Sequence, residues 1–220
     1  LGMGCWTPVE RLGVASGWAA GEPDADGAFD VAFGGALQGR VRWDLLGHHN
    51  RMNALAAIAA ARHAGVPAHV AIDALARFRN VRRRMEVRGV VTGVTVYDDF
   101  AHHPTAIATT VAGLRSKVGD ARILAVLEPR SNTMKLGVMK VELPGSLAQA
   151  DRVFCYAGGL GWDAAGALAP LGALATTRDD LATLVDDILA EVRPGDHVLV
   201  MSNGGFGGIH EKLLARLAAR

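Results

Sequence analysis

Val94-Thr95-Val96-Tyr97-Asp98-Asp99-Phe100-Ala101-His102-His103-Pro104-Thr105 passes from alternating β-branched and aromatic residues into two acids, two histidines and a proline. The first four residues predict a strand, because such side chains pack well on a pleated surface. Pro104 stands where the first turn of a helix begins, and the helix should run to about Lys117. A strand that feeds a helix through polar residues is the repeating unit of an open α/β sheet. Ligands of such sheets bind outside the carboxyl ends of the strands.

Upstream, Met85-Glu86-Val87 alternates in polarity and faces residues 94–97 across a turn at Thr92-Gly93, which predicts a hairpin. Downstream, strand-like and helix-like segments take turns. Ile123–Leu127 and residues 153–157 are apolar strands, and residues 180–192 form a helix. Pro194-Gly195 is a turn, His197–Met201 a strand, and residues 209–219 the last helix. Continuous apolar strands separated by helices indicate a parallel sheet covered on both faces.

The first third has another texture. Residues 1–46 alternate short apolar pieces with Gly, Pro and Asp, as in Gly21-Glu22-Pro23-Asp24-Ala25-Asp26-Gly27, which fits short antiparallel strands. Residues 50–64 read as a helix that Gly65 ends, and Pro67 opens a second one through Phe78. The boundary falls at residues 78–82, giving domains 1–80 and 81–220.

Half of the 220 residues are hydrophobic, enough for a well-buried core, and 23 Lys and Arg balance 22 acids. That balance argues against non-specific nucleic-acid binding, which needs a basic excess. Two cysteines in unrelated surroundings support neither a disulfide scaffold nor a zinc knuckle, so a reducing cytoplasm is expected. No apolar run approaches the roughly 20 residues of a membrane span. The opening Leu1-Gly2-Met3-Gly4 has neither an initiator Met nor a signal-peptide pattern, and suggests a chain that starts inside a longer protein.

Five constellations could carry chemistry. Gly47-His48-His49-Asn50-Arg51-Met52-Asn53 heads the long helix, with Asn50 as its N-cap and Asn53 one turn on. Paired amides suit an adenine edge, or they cap the helix and meet solvent. In Arg82-Arg83-Arg84-Met85-Glu86, strand alternation should separate Arg83 from its neighbours, so that one arginine can clamp phosphate oxygens. Asp98-Asp99-Phe100-Ala101-His102-His103 matches no standard metal spacing and suits a ribose hydroxyl better. Glu128-Pro129-Arg130-Ser131-Asn132-Thr133-Met134-Lys135 is dense in donors for carboxylates at a strand's carboxyl end. Ser202-Asn203-Gly204-Gly205-Phe206-Gly207-Gly208 is a glycine turn, open to an anion but matching neither a phosphate loop nor a dinucleotide fingerprint.

In this order, Gly-x-His-Asn-x-x-Asn-Ala, Arg-Arg-Met-Glu and Tyr-Asp-Asp-Phe-Ala-His-His-Pro, the motifs resemble the Mur ligase family. The longer strings 94–105, 128–135 and 201–210 resemble its murein peptide ligase branch, over essentially all 220 residues. The resemblance implies a Rossmann-like C-terminal domain with a mainly parallel sheet, preceded by the last part of a P-loop-type central ATPase domain. It implies an ATP- and Mg2+-dependent ligase of peptidoglycan recycling. That enzyme joins UDP-N-acetylmuramate to the tripeptide L-Ala-γ-D-Glu-meso-diaminopimelate through an acyl phosphate that the tripeptide's amine attacks.

By the same resemblance His49, Asn50 and Asn53 would hold the adenine end of ATP, Arg84 its phosphates and Asp99 its ribose. His102, Arg130, Asn132, Lys135, Asn203 and Phe206 would meet the peptide. The C-terminal domain of these ligases closes over the ATPase domain, which would make residues 78–82 a hinge. The family's Gly-Lys-Thr loop is absent from these 220 residues, as are its magnesium ligands, so the chain alone should be inactive. The rival readings are the L-alanine-adding ligase, which normally carries a Gln-Pro-His-Arg-type loop at 128–131, and a non-catalytic nucleotide- or peptide-binding α/β domain.

Overall fold

The computed structural model describes residues 5–43, 45 and 47–220. The Leu1-Gly2-Met3-Gly4 opening lies outside the described residues, as do Asp44 and Leu46 of the 1–46 segment. The chain divides into two compact units, Leu1–Asn80 and Val81–Arg220.

The first unit holds the antiparallel sheet β1 (Trp18–Ala20), β2 (Phe29–Phe33) and β3 (Ala36–Val41), in that order. Two helices, α1 (His48–His63) and α2 (Ala68–Leu75), complete it. Trp18, Phe29, Val31 and Val41 of the sheet meet Ala54, Leu55 and Ile58 of α1 and Ile72 of α2 in one apolar cluster. This burial is what makes a three-stranded sheet tenable.

The start of α1 differs from the sequence reading. Gly47, at φ 88°, is the N-cap, and Asn50 lies inside the first turn rather than capping it. A glycine reaches that backbone geometry without the steric cost a side chain would carry. The other end agrees with expectation: Gly65 has φ 91°, its N–H donates to the Arg62 carbonyl, and that of Val66 to the Ala61 carbonyl. These paired bonds satisfy carbonyls that the helix end leaves open.

The second unit starts with the hairpin β4 (Glu86–Val91) and β5 (Val94–Asp99), whose turn residues Thr92 and Gly93 have φ 49° and 79°. There follow α3 (Pro104–Val118), β6 (Ile123–Leu127), α4 (Asn132–Lys135), α5 (Leu143–Ser146) and β7 (Arg152–Tyr156). The chain ends through α6 (Ala164–Leu168), β8 (Ala175–Arg178), α7 (Leu181–Glu191), β9 (His197–Met201) and α8 (Ile209–Ala218).

The strand order is β4-β5-β9-β6-β7-β8, with all pairings parallel except β4 with β5. Strand pleating sorts β6 cleanly. Ile123, Ala125 and Leu127 pack with α3, α5 and α6, while Leu124 and Val126 pack with α7 and α8. The path from β5 skips a place to reach β6, and β9 later fills the gap. The chain therefore leaves β5 and β6 toward one face and β9 toward the other. A crevice at the carboxyl ends of these three strands is the expected consequence.

Candidate functional site

Three loops meet at those carboxyl ends. The Glu128 N–H donates to the Met201 carbonyl at 3.1 Å, and the Ser202 N–H to the Asp99 carbonyl at 3.1 Å. The ladder thus continues one residue past each strand. The Ser202 hydroxyl donates to Glu128 Oε2 at 2.5 Å and accepts from the Gly204 N–H at 2.9 Å. Ser202 is fully buried, so its hydroxyl braces the loops and does not serve as a nucleophile.

Asp98 and Asp99 point to opposite faces. Asp98 is 2% exposed. Its Oδ1 accepts from Arg83 Nε at 3.2 Å and lies 3.5 Å from His210 Nε2, and its Oδ2 accepts from Arg88 at 3.3 Å. Burial holds the His210 imidazole below its ordinary pKa, against the pull of Asp98. Asp99 Oδ1 accepts from the Ala101 N–H and the Thr110 hydroxyl, and Oδ2 from the Met85 N–H at 2.8 Å.

Arg83 and Arg84 do not lie on a strand, contrary to the alternation expected for them. They occupy a turn in which Arg83 has φ 60° and Met85 φ 52°. The Arg83 guanidinium also donates to the Ser202 carbonyl at 2.5 Å and sits 5.3 Å from the Phe100 ring centroid. Arg84 is exposed, 5.9 Å from the same ring. Beside them His102 Nδ1 is 2.8 Å from the Phe100 carbonyl, and its ring lies 4.2 Å from that of His103, the two planes tilted by 49°.

The peptide-side candidates divide. Arg130 is exposed and lies over the glycine turn so closely that a Cβ on Gly204 would fall 2.2 Å from its Nη1. The Asn203 side-chain oxygen is buried and has no hydrogen-bond partner among the described residues. Asn132 and Lys135 are exposed on α4, whose N-cap Ser131 accepts from the Met134 N–H. Phe206 must be corrected: it is 1% exposed and packs in the α7 and α8 cluster, its ring 5.9 Å from that of Tyr156. At that burial the ring serves the core rather than a ligand.

His49, Asn50 and Asn53 belong to the first unit. Asn53 Nδ2 donates to Asn50 Oδ1 at 3.2 Å, so the two amides do share one side of α1.

Chemically, the loops at these carboxyl ends carry the Arg130 guanidinium, the Lys135 ammonium and an Asn203 amide oxygen that has no partner among the described residues. Such a set suits a ligand bearing both carboxylates and N–H donors. Sequence reasoning missed Ser202 as the brace and Trp162 as a neighbour of α4. Only the glycine-rich run Gly158-Gly159-Leu160-Gly161 before Trp162 could have drawn attention to that loop.

Residues 83–204, which contain these three loops as far as Gly204, match the family model for the Mur ligase glutamate ligase domain. The chain belongs to the Mur ligase family. It is 51% identical over its whole length to the UDP-N-acetylmuramate–L-alanyl-γ-D-glutamyl-meso-2,6-diaminoheptandioate ligase of Escherichia coli (strain K12), of which it covers 49%. The crystal structure of a murein peptide ligase from Psychrobacter arcticus 273-4 superposes with a TM-score of 0.70 at 39% identity, over 92% of this chain and 44% of that one. A UDP-N-acetylmuramate–L-alanine ligase of Mycobacterium sp. (strain JLS) is 34% identical over 82% of the chain and 39% of the relative.

This Mur ligase chain therefore spans about half the length of the murein tripeptide ligase it matches. Its α/β fold with a mainly parallel sheet is the one expected from the sequence.

Proposed function

We propose that the chain is part of an ATP-dependent amide ligase joining UDP-N-acetylmuramate to L-Ala-γ-D-Glu-meso-diaminopimelate, and that residues 81–220 bind the tripeptide. The observation that carries this reading is that Arg130, against the Gly204 turn, and Asn203, whose amide oxygen is buried without a partner among the described residues, lie on the adjoining loops after β6 and β9, with Lys135 exposed on α4 just beyond. A peptide ending in diaminopimelate brings several carboxylates and N–H donors, which match those groups in sign. The stronger likeness to a tripeptide ligase, 51% against 34% identity, favours this substrate over free L-alanine. So does Glu128-Pro129-Arg130-Ser131 in place of a Gln-Pro-His-Arg-type loop.

Residues 1–80 are assigned to the end of the central ATP-binding domain and 81–220 to the C-terminal domain. The amides of Asn50 and Asn53 present a donor and an acceptor from one helix face, a fit for an adenine edge. His49 stands beside them on α1. In the second unit the exposed Arg84 is proposed to meet phosphate oxygens. Asp99, 3% exposed and accepting from the Met85 and Ala101 N–H groups and the Thr110 hydroxyl, is withdrawn as the ribose contact because its carboxylate is spent on holding the loop after β5. ATP, when bound, supplies the activation that makes a carboxylate an acyl donor; Mg2+ neutralises its phosphates, and no ligand for it is assigned here. The chain's own part is positioning: Arg130 and Lys135 orient the peptide's carboxylates, Asn203 takes an N–H, His102 flanks the crevice, and Asn132 borders it. Without a Gly-Lys-Thr loop, these residues bind but do not turn over. The activity belongs to the cytoplasm, where ATP is found, and no helix among the described residues is long and apolar enough to cross a membrane.

Calorimetric titration of the chain with the tripeptide, beside free L-alanine and an Arg130→Ala variant, tests the reading. Tripeptide binding that Arg130→Ala loses, with no response to L-alanine, supports it. Equal binding by the variant removes Arg130 from the site, and a preference for L-alanine overturns the choice of substrate.

A further inference from the structure

The one-turn helix α4 carries Asn132 and Lys135 but is too short to hold itself. Helix nucleation is unfavourable, and four residues gain almost nothing from propagation. Much of the segment that follows faces solvent, with Leu136, Val138 and Val141 78%, 69% and 82% exposed, although Met139 packs on the α3-side core. What fixes the segment comes from below and from one side. Below, Met134 is 1% exposed in the α3-side core.

The side support is the loop that follows β7. Trp162 Nε1 donates to the Met134 carbonyl at 2.8 Å. The indole also packs closely against Gly137, where an added Cβ would fall 2.9 Å from Cδ1 and 3.0 Å from Cγ. Gly137 has φ 72°, so the position demands a glycine twice over. Gly161 faces the Lys135 carbonyl, with 3.6 Å from its Cβ position to that oxygen. The loop itself is set by the Leu160 N–H donating to the Ala157 carbonyl at 3.1 Å and by the half-buried Trp162 ring packing on the α3-side core.

We infer that Trp162 is a positioning residue of the peptide subsite: its indole clamps α4 so that Asn132 and Lys135 are presented to the ligand. This rests on the peptide reading above. Met134 holds the turn through burial, whereas Trp162 fixes its rotation, because a hydrogen bond to one carbonyl is directional and burial is not. The charged end of Lys135 gains from that fixing, since a preorganised side chain loses less freedom on binding.

The test uses the 220-residue chain with Trp162→Phe, which keeps a ring over Gly137 but loses the N–H, and with Gly137→Ala, which pushes the ring away. Tripeptide affinity is measured by calorimetry, thermal unfolding is followed in parallel, and the indole N–H signals are observed by NMR. Trp6, Trp18 and Trp43, all in the first unit, serve as internal controls. The expected result is a loss of affinity of roughly threefold to tenfold in Trp162→Phe, the effect of one hydrogen bond. The thermal midpoint of Trp162→Phe should fall by only a few degrees, the share of that one hydrogen bond, and in the wild type the tripeptide should shift the Trp162 indole signal. Equal affinity in wild type and both variants overturns the inference and leaves the peptide reading standing. Failure of the wild type to bind the tripeptide removes the peptide reading, and the inference falls with it.

Discussion

Ser202 Oγ and Glu128 Oε2 are 2.5 Å apart, tying the loop after β9 to the loop after β6 across the middle of the sheet. The same hydroxyl accepts from the Gly204 N–H, so one buried oxygen sets the spacing of the carboxylate, the glycine turn and Asn203. Ser202→Ala should cost about 1–3 kcal/mol, because it strips a donor from a carboxylate and an acceptor from a backbone N–H. Urea unfolding measures the loss. Tripeptide affinity should fall with it, since Arg130 rests on the same glycine turn.

Arg83 joins three structural pieces, the Asp98 carboxylate, the Ser202 carbonyl and the Phe100 ring. Its side chain is 26% exposed and that of Asp98 3%. Arg83→Met should destabilise the chain by about 2–4 kcal/mol, since it leaves Asp98 to Arg88 and a neutral His210. Adding Asp98→Asn in that background should recover part of the loss. A double-mutant cycle in urea gives the coupling directly.

Acid should weaken the fold through its histidines. Burial holds the folded pKa of His210 below the ordinary imidazole value, and those of His103 and His197 move the same way for the same leading reason. The unfolded chain therefore binds more protons than the folded one as pH falls below about 7, so stability is full above that window and declines beneath it. Around His210 stand Asp98, Arg83, Arg88 and Glu211, whose opposing charges leave burial as the dominant effect. Urea midpoints from about pH 7.5 down to about pH 5.5 should fall. His210→Gln should flatten part of that slope.

Gly65 offers a simpler measurement. Nothing lies within 4 Å of a Cβ placed there, so Ala meets no clash and differs only through its φ of 91°. Gly65→Ala should cost about 1 kcal/mol, the penalty of a side chain in the left-handed region. A shift of the thermal midpoint reads it.

What the sequence revealed followed from local chemistry. Ile123–Leu127 and His197–Met201 are uninterrupted apolar runs, and both strands have the bounds read from them. Thr92-Gly93 and Pro104 mark the turn and helix start that their backbone preferences imply. The misses depend on distant partners. Ala175–Arg178 carries no apolar alternation and becomes a strand only by pairing with β7. Arg83 leaves the expected strand because Asp98, 15 residues on, draws its guanidinium inward. Phe206 looked like a ligand contact in a glycine turn, yet Tyr156 and the α8 core claim its ring. Trp162 reaches Met134 across 28 residues, a relationship that no spacing rule encodes.

The placement of β9 between β5 and β6 has a consequence for biosynthesis. His197–Met201, the last strand of this sheet to be made, is its keystone. Until it emerges from the ribosome, β5 and β6 each present an unpaired edge, the kind of surface on which nascent chains stick to one another. Folding of residues 81–220 is thereby deferred until His197–Met201 has been made. A premature stop anywhere before His197 would remove the bridge between the hairpin and the other parallel strands, and yield an aggregation-prone product rather than a smaller version of the domain.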